Sequence, residues 1–330
     1  TSSSLIFRQP QGLHLKMVSP DFNSKVLKLT YRLTSLIGLT PWKMTIISHP
    51  LLKNNFSVKY SKSVLGMCYN FIFIISLTLF TIATQSRLKS FLLHNHGNYL
   101  IATVFEYIIM VLGNVSAVII VVIRSVSHRN GVRLGNSINY FYQKYRILLL
   151  TNRSTSRWQQ YRNSIVSVIL LLIWFCYCIG YLILYDYIYA LTPFVYGLMF
   201  KCVILEYVFT IEILKNAAYS FNENLIRNWL FMQNSQKPQL FADQLRSVRE
   251  AHNDLRKLAK QVNDFYALVV LLIITHNCGE CVQCIYLTSV YEQKEGLRFV
   301  IEVIIAIGIV PLLLYPAVVL STTIEKLREE

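Results

Sequence analysis

Six acids stand inside stretches of sequence that are otherwise apolar: Glu106, Asp186, Glu206, Glu212, Glu280 and Glu302. A carboxylate in such surroundings is costly unless a hydrogen bond, a counter-charge or water meets it, so each is a candidate for binding, ion passage or proton transfer. His276 precedes Glu280 by four residues, one helical turn, so the two can hydrogen-bond. Around them runs His276-Asn-Cys278-Gly-Glu-Cys281-Val-Gln-Cys284, whose Cys-x-x-Cys spacing looks like half of a zinc site or part of an iron–sulfur run. There is no second half-site, and cysteines three apart on a helix share a face suited to packing, so neither a metal nor another cofactor is expected. Tyr177, Tyr181, Tyr185 and Tyr189 recur four apart on one slowly drifting helix face, which Trp174 extends by a turn. Gly-x-Ser-x-Gly, His-Glu-x-x-His and Walker-type loops are absent, so the sequence does not read as an enzyme.

The elements that must hold these residues are long and apolar. Of 330 residues, 54% are apolar and 15% charged, and mean hydropathy is +0.43; ordinary soluble domains carry roughly 25% charged residues. The apolar residues fall in blocks long enough to cross a bilayer. The expected fold is an all-α membrane protein, a polytopic helical bundle with spans at about 64–84, 99–123, 164–190, 193–214, 265–291 and 299–320. Leu191-Thr-Pro193 is read as the turn between the third and fourth. The fifth continues a charged, leucine-spaced pattern from Ala242 to Tyr291 with no glycine before Gly279. Fifty helical residues reach roughly 75 Å, more than twice a ~30 Å hydrocarbon core, so its charged half should project into water.

Net charge is +15, which by itself suggests nucleic acid. Position argues otherwise, because the cations lie between the apolar blocks. Segments 1–63, 124–163, 215–264 and 321–330 hold 27 Lys and Arg, against 4 in 85–98, 191–192 and 292–298. That asymmetry places both termini, the long loops and the projecting half of the fifth helix in the cytoplasm of a multi-pass protein that meets lipid, not nucleic acid. The sequons at Asn55 and Asn152 then lie on the unglycosylated side, and Asn114 lies within a span. The first sixty residues are polar and basic, so the first span is expected to act as the insertion signal. Seven cysteines, mostly within apolar blocks, do not make a secreted disulfide framework. Segment 26–38 is amphipathic and too short to span; it either lies at the membrane interface or packs on the cytoplasmic side.

Span direction sets depth. Glu106, Asp186, Glu280 and Glu302 fall in outer halves, Glu206 near mid-depth and Glu212 nearer the cytoplasm. Asp186 and Glu302 are within about a turn of the outer end, where headgroups or water also reach them. Glu106 and Glu280 are deeper, facing a pocket or making structural hydrogen bonds.

This layout resembles the insect gustatory receptor family. Tyr31-Arg-Leu-Thr-Ser-Leu-Ile-Gly-Leu-Thr-Pro-Trp42 looks like its segment before the first span, and Leu255-Arg-Lys-Leu-Ala-Lys-Gln-Val-Asn-Asp-Phe265 like its polar approach to the fifth. The family's Thr-Tyr, five apolar residues, Gln-Phe signature of a seventh span is absent, and 321–330 looks like the linker that precedes that span. The resemblance implies a plasma-membrane receptor for a small tastant, a ligand-gated cation channel assembled as a homo- or hetero-tetramer, here without its pore helix. It also implies a pocket among the outer halves of the second to sixth spans. On this sequence that selects Glu106, Tyr107, Tyr181, Tyr185, Asp186, Glu280, Tyr286 and Glu302. The related odorant receptors share the plan. A secondary transporter would need two related halves, and no internal repeat is present. A G-protein-coupled receptor would need an outside amino terminus, against the charge distribution.

Overall fold

The computed structural model describes residues 31–48, 56–95, 100–149, 187–232 and 238–291, apart from Leu33, with scattered positions in 165–179 and residue 318. Two strands come first, β1 (Trp42–Ser48) and β2 (Phe56–Lys62), then helices α1 (Val64–Asn95), α2 (Leu100–Val126), α3 (His128–Lys144), α4 (Arg146–Leu149), α5 (Tyr187–Met232) and α6 (Pro238–Tyr291). Four of these helices are long and apolar enough to cross a membrane: α1, α2, α5 and α6. The third and sixth expected spans lie largely outside the described residues.

The helix expected from Ala242 to Tyr291 is a single unbroken element, α6, beginning at Pro238. Its 54 residues correspond to roughly 80 Å. Proline opens it without penalty, because a first-turn N–H has no helical partner to lose. Buried positions repeat at helical spacing along its charged half and into its apolar half: Val248, Ala251, Leu255, Leu258, Val262, Val269 and Ile273. One face therefore packs on protein over most of the length, whatever surrounds the other.

Four boundaries differ from the sequence reading. Helix α5 starts at Tyr187 and passes through Pro193, so Leu191–Pro193 is helix and not a turn. Helix α1 continues to Asn95, through most of the expected 85–98 loop. Segment 124–163, read as a loop from its cations, is helical from His128 to Lys144 and from Arg146 to Leu149. The helix persists because Leu134, Phe141 and Tyr145 fall on one face and bury it, leaving the cations opposite. Segment 215–264 likewise extends α5 to Met232 before α6 begins.

The all-α expectation fails at β1 and β2, which form an antiparallel hairpin with Trp42 opposite Lys62 and Met44 opposite Tyr60. Helix α3 holds it. The Asn136 side chain accepts from the Tyr60 N–H at 2.9 Å and donates to the Tyr60 carbonyl at 2.9 Å, replacing a third strand's backbone pair. Gly131 and Gly135 let the hairpin approach: an added Cβ would come within 2.6 Å of the Trp42 ring and 2.5 Å of the Tyr60 ring. In the amphipathic segment Tyr31, Arg32 and Thr34–Leu36 are helical, and Asn70 of α1 donates to the Gly38 carbonyl at 2.7 Å. Thr34 and Leu39 are buried while Leu36 is exposed, so this segment packs on the bundle.

The core lies between α2, α5 and α6, with Ala117, Val203, Val269 and Ile273 fully enclosed. Helix α1 is the peripheral member. Its Leu65, Phe71, Ile72, Leu79 and Ile82 are mostly exposed, a surface that would cost on the order of 10 kcal/mol to hold in water but nothing against lipid tails.

Candidate functional site

Midway through the apolar half of α6, His276 and Glu280 project from successive turns toward α5. Tyr196 of α5 donates its hydroxyl to Glu280 Oε1 at 3.0 Å. His276 Nε2 stands 3.8 Å from the same oxygen, beyond a direct hydrogen bond. The imidazole is fully buried, with Tyr196 and Phe200 edge-on at centroid distances of 5.0 and 5.2 Å. Neither ring nitrogen has a hydrogen bond of good geometry; the polar groups it faces are the Glu280 carboxylate and the Ile109 backbone. A buried imidazole whose hydrogen bonds are poorly formed gains from a further polar partner.

Helix α2 closes the layer. At Gly113 an added Cβ would meet His276 Nε2 at 2.6 Å and the Tyr196 ring at 2.9 Å, so only glycine lets α2 lie against both. Lys201 follows a turn or so beyond Tyr196 on α5. On the flank, Trp174 stacks on Phe194 at 5.4 Å and occupies the space beside Gly197. Glu280 itself is about one-fifth exposed, so this polar layer opens outward at the carboxylate.

The residues selected from the sequence are distributed as follows. Glu280 is at the centre of the layer. Tyr107, half-buried on α2, and Tyr286, partly exposed on α6, lie six residues from Gly113 and Glu280, each roughly 9 Å toward the end of the bundle away from the hairpin. Glu106 falls within α2, but its side chain is outside the described residues, as are Tyr181, Tyr185, Asp186 and Glu302. Tyr196 and Phe200 were not singled out by sequence, since neither is unusual in an apolar helix; their role comes from the α5–α6 pairing. Cys278 is exposed and Cys281 buried, so these two do not share a packed face. Among the described residues no three metal-ligating side chains converge.

A second polar contact lies at the hairpin end. Arg124, counted as a loop cation from the sequence, is in the last turns of α2 and wholly buried. Its Nη2 donates to Glu206 Oε2 at 2.8 Å, and its guanidinium lies 4.6 Å from the ring centroids of both Phe265 and Tyr266. Glu206 is therefore level with the last turns of α2. Because α5 begins at Tyr187, Glu206 lies roughly 29 Å along it.

Membrane-length helices, a lipid-suited outer face on α1 and a polar layer inside the bundle describe an integral membrane protein built to hold polar groups within it. No curated protein matches the chain. A family model described as 7tm chemosensory receptor matches residues 27–330, through every described helix and the hairpin. With all but the first 26 residues matched, this chain belongs to the 7tm chemosensory receptor family.

Proposed function

We propose that the chain is a gustatory-type chemoreceptor subunit, part of a ligand-gated cation channel, and that a small tastant binds in the layer around Glu280. The observation that carries this reading is the Tyr196–Glu280 hydrogen bond beside an imidazole lacking well-formed hydrogen bonds, inside helices that are otherwise apolar. A ligand hydroxyl or ammonium group that takes over Glu280 releases Tyr196, while His276 can donate to or accept from it. The exchange alters the link between α5 and α6, so a ligand favouring one arrangement of these helices shifts the population toward it. Tyr107 and Tyr286, farther toward the end away from the hairpin, would meet the rest of the ligand, with Glu106, Tyr181, Tyr185, Asp186 and Glu302 as further candidates. In this reading the hairpin, α3 and the charged half of α6 face the cytoplasm, and the subunit works in a tetramer at the plasma membrane.

The test is calcium imaging of cells expressing the receptor and challenged with a panel of sugars, alkaloids and amines. Losing a charge-assisted hydrogen bond is worth about 1.5–3 kcal/mol, so Glu280→Gln should shift the effective concentration roughly 10- to 100-fold at unchanged surface level. Tyr196→Phe should change sensitivity as well. Unaltered dose–response curves in both variants would remove the site from the mechanism.

A further inference from the structure

The hairpin, α3, α5 and α6 enclose a cavity of about 390 Å³, well separated from the Glu280 layer. Phe265 on its wall precedes Glu280 by fifteen residues, roughly 22 Å along α6. The volume is that of a small-molecule site. Two kinds of side chain dominate its chemistry. Trp42, Tyr60, Tyr142, Phe265 and Tyr266 present aromatic surface from four different elements. Glu212 and the Arg124-paired Glu206 present carboxylates from α5, and no Lys, Arg or His is among the described lining residues.

That combination selects against anions and for a compact positive charge. Aromatic faces attract a cation through the ring quadrupole, most strongly where water is excluded, and a nearby carboxylate adds a direct Coulomb attraction. Arg124 shows that the preference already operates in this wall, since its guanidinium sits against Phe265 and Tyr266 while pairing with Glu206. The negative field reaches the far side too: burial first, then the Glu206 charge, pushes the Tyr60 hydroxyl up to about 12. Inorganic ions gain little from aromatic walls, and lipid tails gain nothing from carboxylates.

We propose that this cavity is a second ligand site, for a small organic ammonium ion, seated between the β1–β2 hairpin and the α5–α6 pair. Occupancy adds a contact shared by the hairpin, α3, α5 and α6, so it stabilises the hairpin against the bundle.

The test uses the purified full chain in lipid nanodiscs, with choline and tetraethylammonium as probes and 3,3-dimethylbutanol as the uncharged match for choline. Both ammonium ions should raise the unfolding temperature in a saturable manner, and the alcohol should not. Glu212→Gln should weaken choline binding at least 10-fold, and Trp42→Leu should do the same through the aromatic wall. Thr210→Phe, which fills the cavity from α5, should abolish the shift. If Glu212→Gln fails to fold, the comparison of choline with its uncharged match in the unmodified protein carries the charge test. Glu280→Gln should leave choline binding intact, separating this site from the tastant layer. Equal binding of choline and the alcohol, or no binding of either ammonium ion to folded protein, would overturn the proposal.

Discussion

Replacing Arg124 by Met leaves the Glu206 carboxylate without its cation beside the Phe265 and Tyr266 rings. Breaking one side of a buried pair typically costs about 3–5 kcal/mol, whereas removing both charges is often nearly neutral. Arg124→Met should therefore destabilise the protein strongly in detergent unfolding titrations, and adding Glu206→Gln should restore much of the loss. A double-mutant cycle reads the coupling directly; additive costs would mean that the pair is not coupled as its geometry implies. At the other polar layer, Gly113→Ala places a methyl group against His276 and Tyr196, both of which are buried. The expected cost is about 1–3 kcal/mol, with a loss of tastant sensitivity in calcium imaging. Gly279→Ala meets only the Ile109 Cδ1 end and should be milder. Glu280 and His276 were legible in the sequence as a polar pair one turn apart. Tyr196, Phe200 and Gly113 were not, since a tyrosine, a phenylalanine and a glycine in apolar helices carry no local sign of which helix they will meet.

Between elements, α3 is fastened to the charged half of α6 by Asp254. Its carboxylate accepts from Lys144 Nζ at 2.8 Å and from the Tyr145 hydroxyl at 2.7 Å. The Lys144 hydrogen bond first, then that of Tyr145, holds Asp254 below its usual range, and the same contact raises Lys144. The lowered carboxylate stabilises the fold above its unfolded value of about 4, and that contribution is lost as pH falls through the folded value. The raised ammonium group stabilises below its unfolded value of about 10.4 and loses its contribution as pH rises through the folded one. The clasp is thus complete between roughly pH 4 and 10. Unfolding followed against pH should show Asp254→Asn with a flatter acid limb than the unmodified protein; coincident curves would contradict the assignment. At the hairpin, Asn136→Ala deletes both bonds to Tyr60, at about 1 kcal/mol each, and should raise hydrogen exchange at the Tyr60 amide before elsewhere. Helix α6 could be read from sequence because a 3.6-residue pattern persists across its change from charged to apolar. The hairpin could not, because its alternating Thr, Ile, Val and Tyr sit in a basic stretch whose partner, α3, lies some seventy residues farther on.

At the scale of the whole molecule, the membrane accounts for the surface. Val64, Leu65, Phe71, Ile72, Leu79 and Ile82 leave α1 with a broad apolar exterior. An acid at Ile75, near the middle of that helix, should cost about 2.5–3.5 kcal/mol of insertion energy and lower the membrane-integrated fraction in alkaline extraction. The proposed orientation has its own test. The sequons at Asn55 and Asn152 should remain unglycosylated in microsomes, while a sequon engineered into 292–298 should gain sugar. Sugar at Asn152 would invert the topology and move the ammonium site to the outside.

Sequence by itself determined the class of solvent and the family resemblance, because hydropathy and charge are summed over twenty or more residues and survive errors in any one boundary. It also determined that α6 is long, since nothing in Ala242–Asn277 interrupts a helix. Tertiary structure alone decided which polar groups meet. The phase at which a helix faces its neighbour depends on where it begins and how closely the backbones approach. The pairing of α2 with α5 set Glu206 against Arg124, and the bare Cα of Gly113 set the approach of α2 to His276 and Tyr196. The cavity arises in the same way, from a hairpin seated on the two glycines of α3. Its aromatic and acidic walls come from Trp42, Tyr60, Tyr142, Glu206, Glu212, Phe265 and Tyr266, which only the folded chain brings within reach of one small molecule.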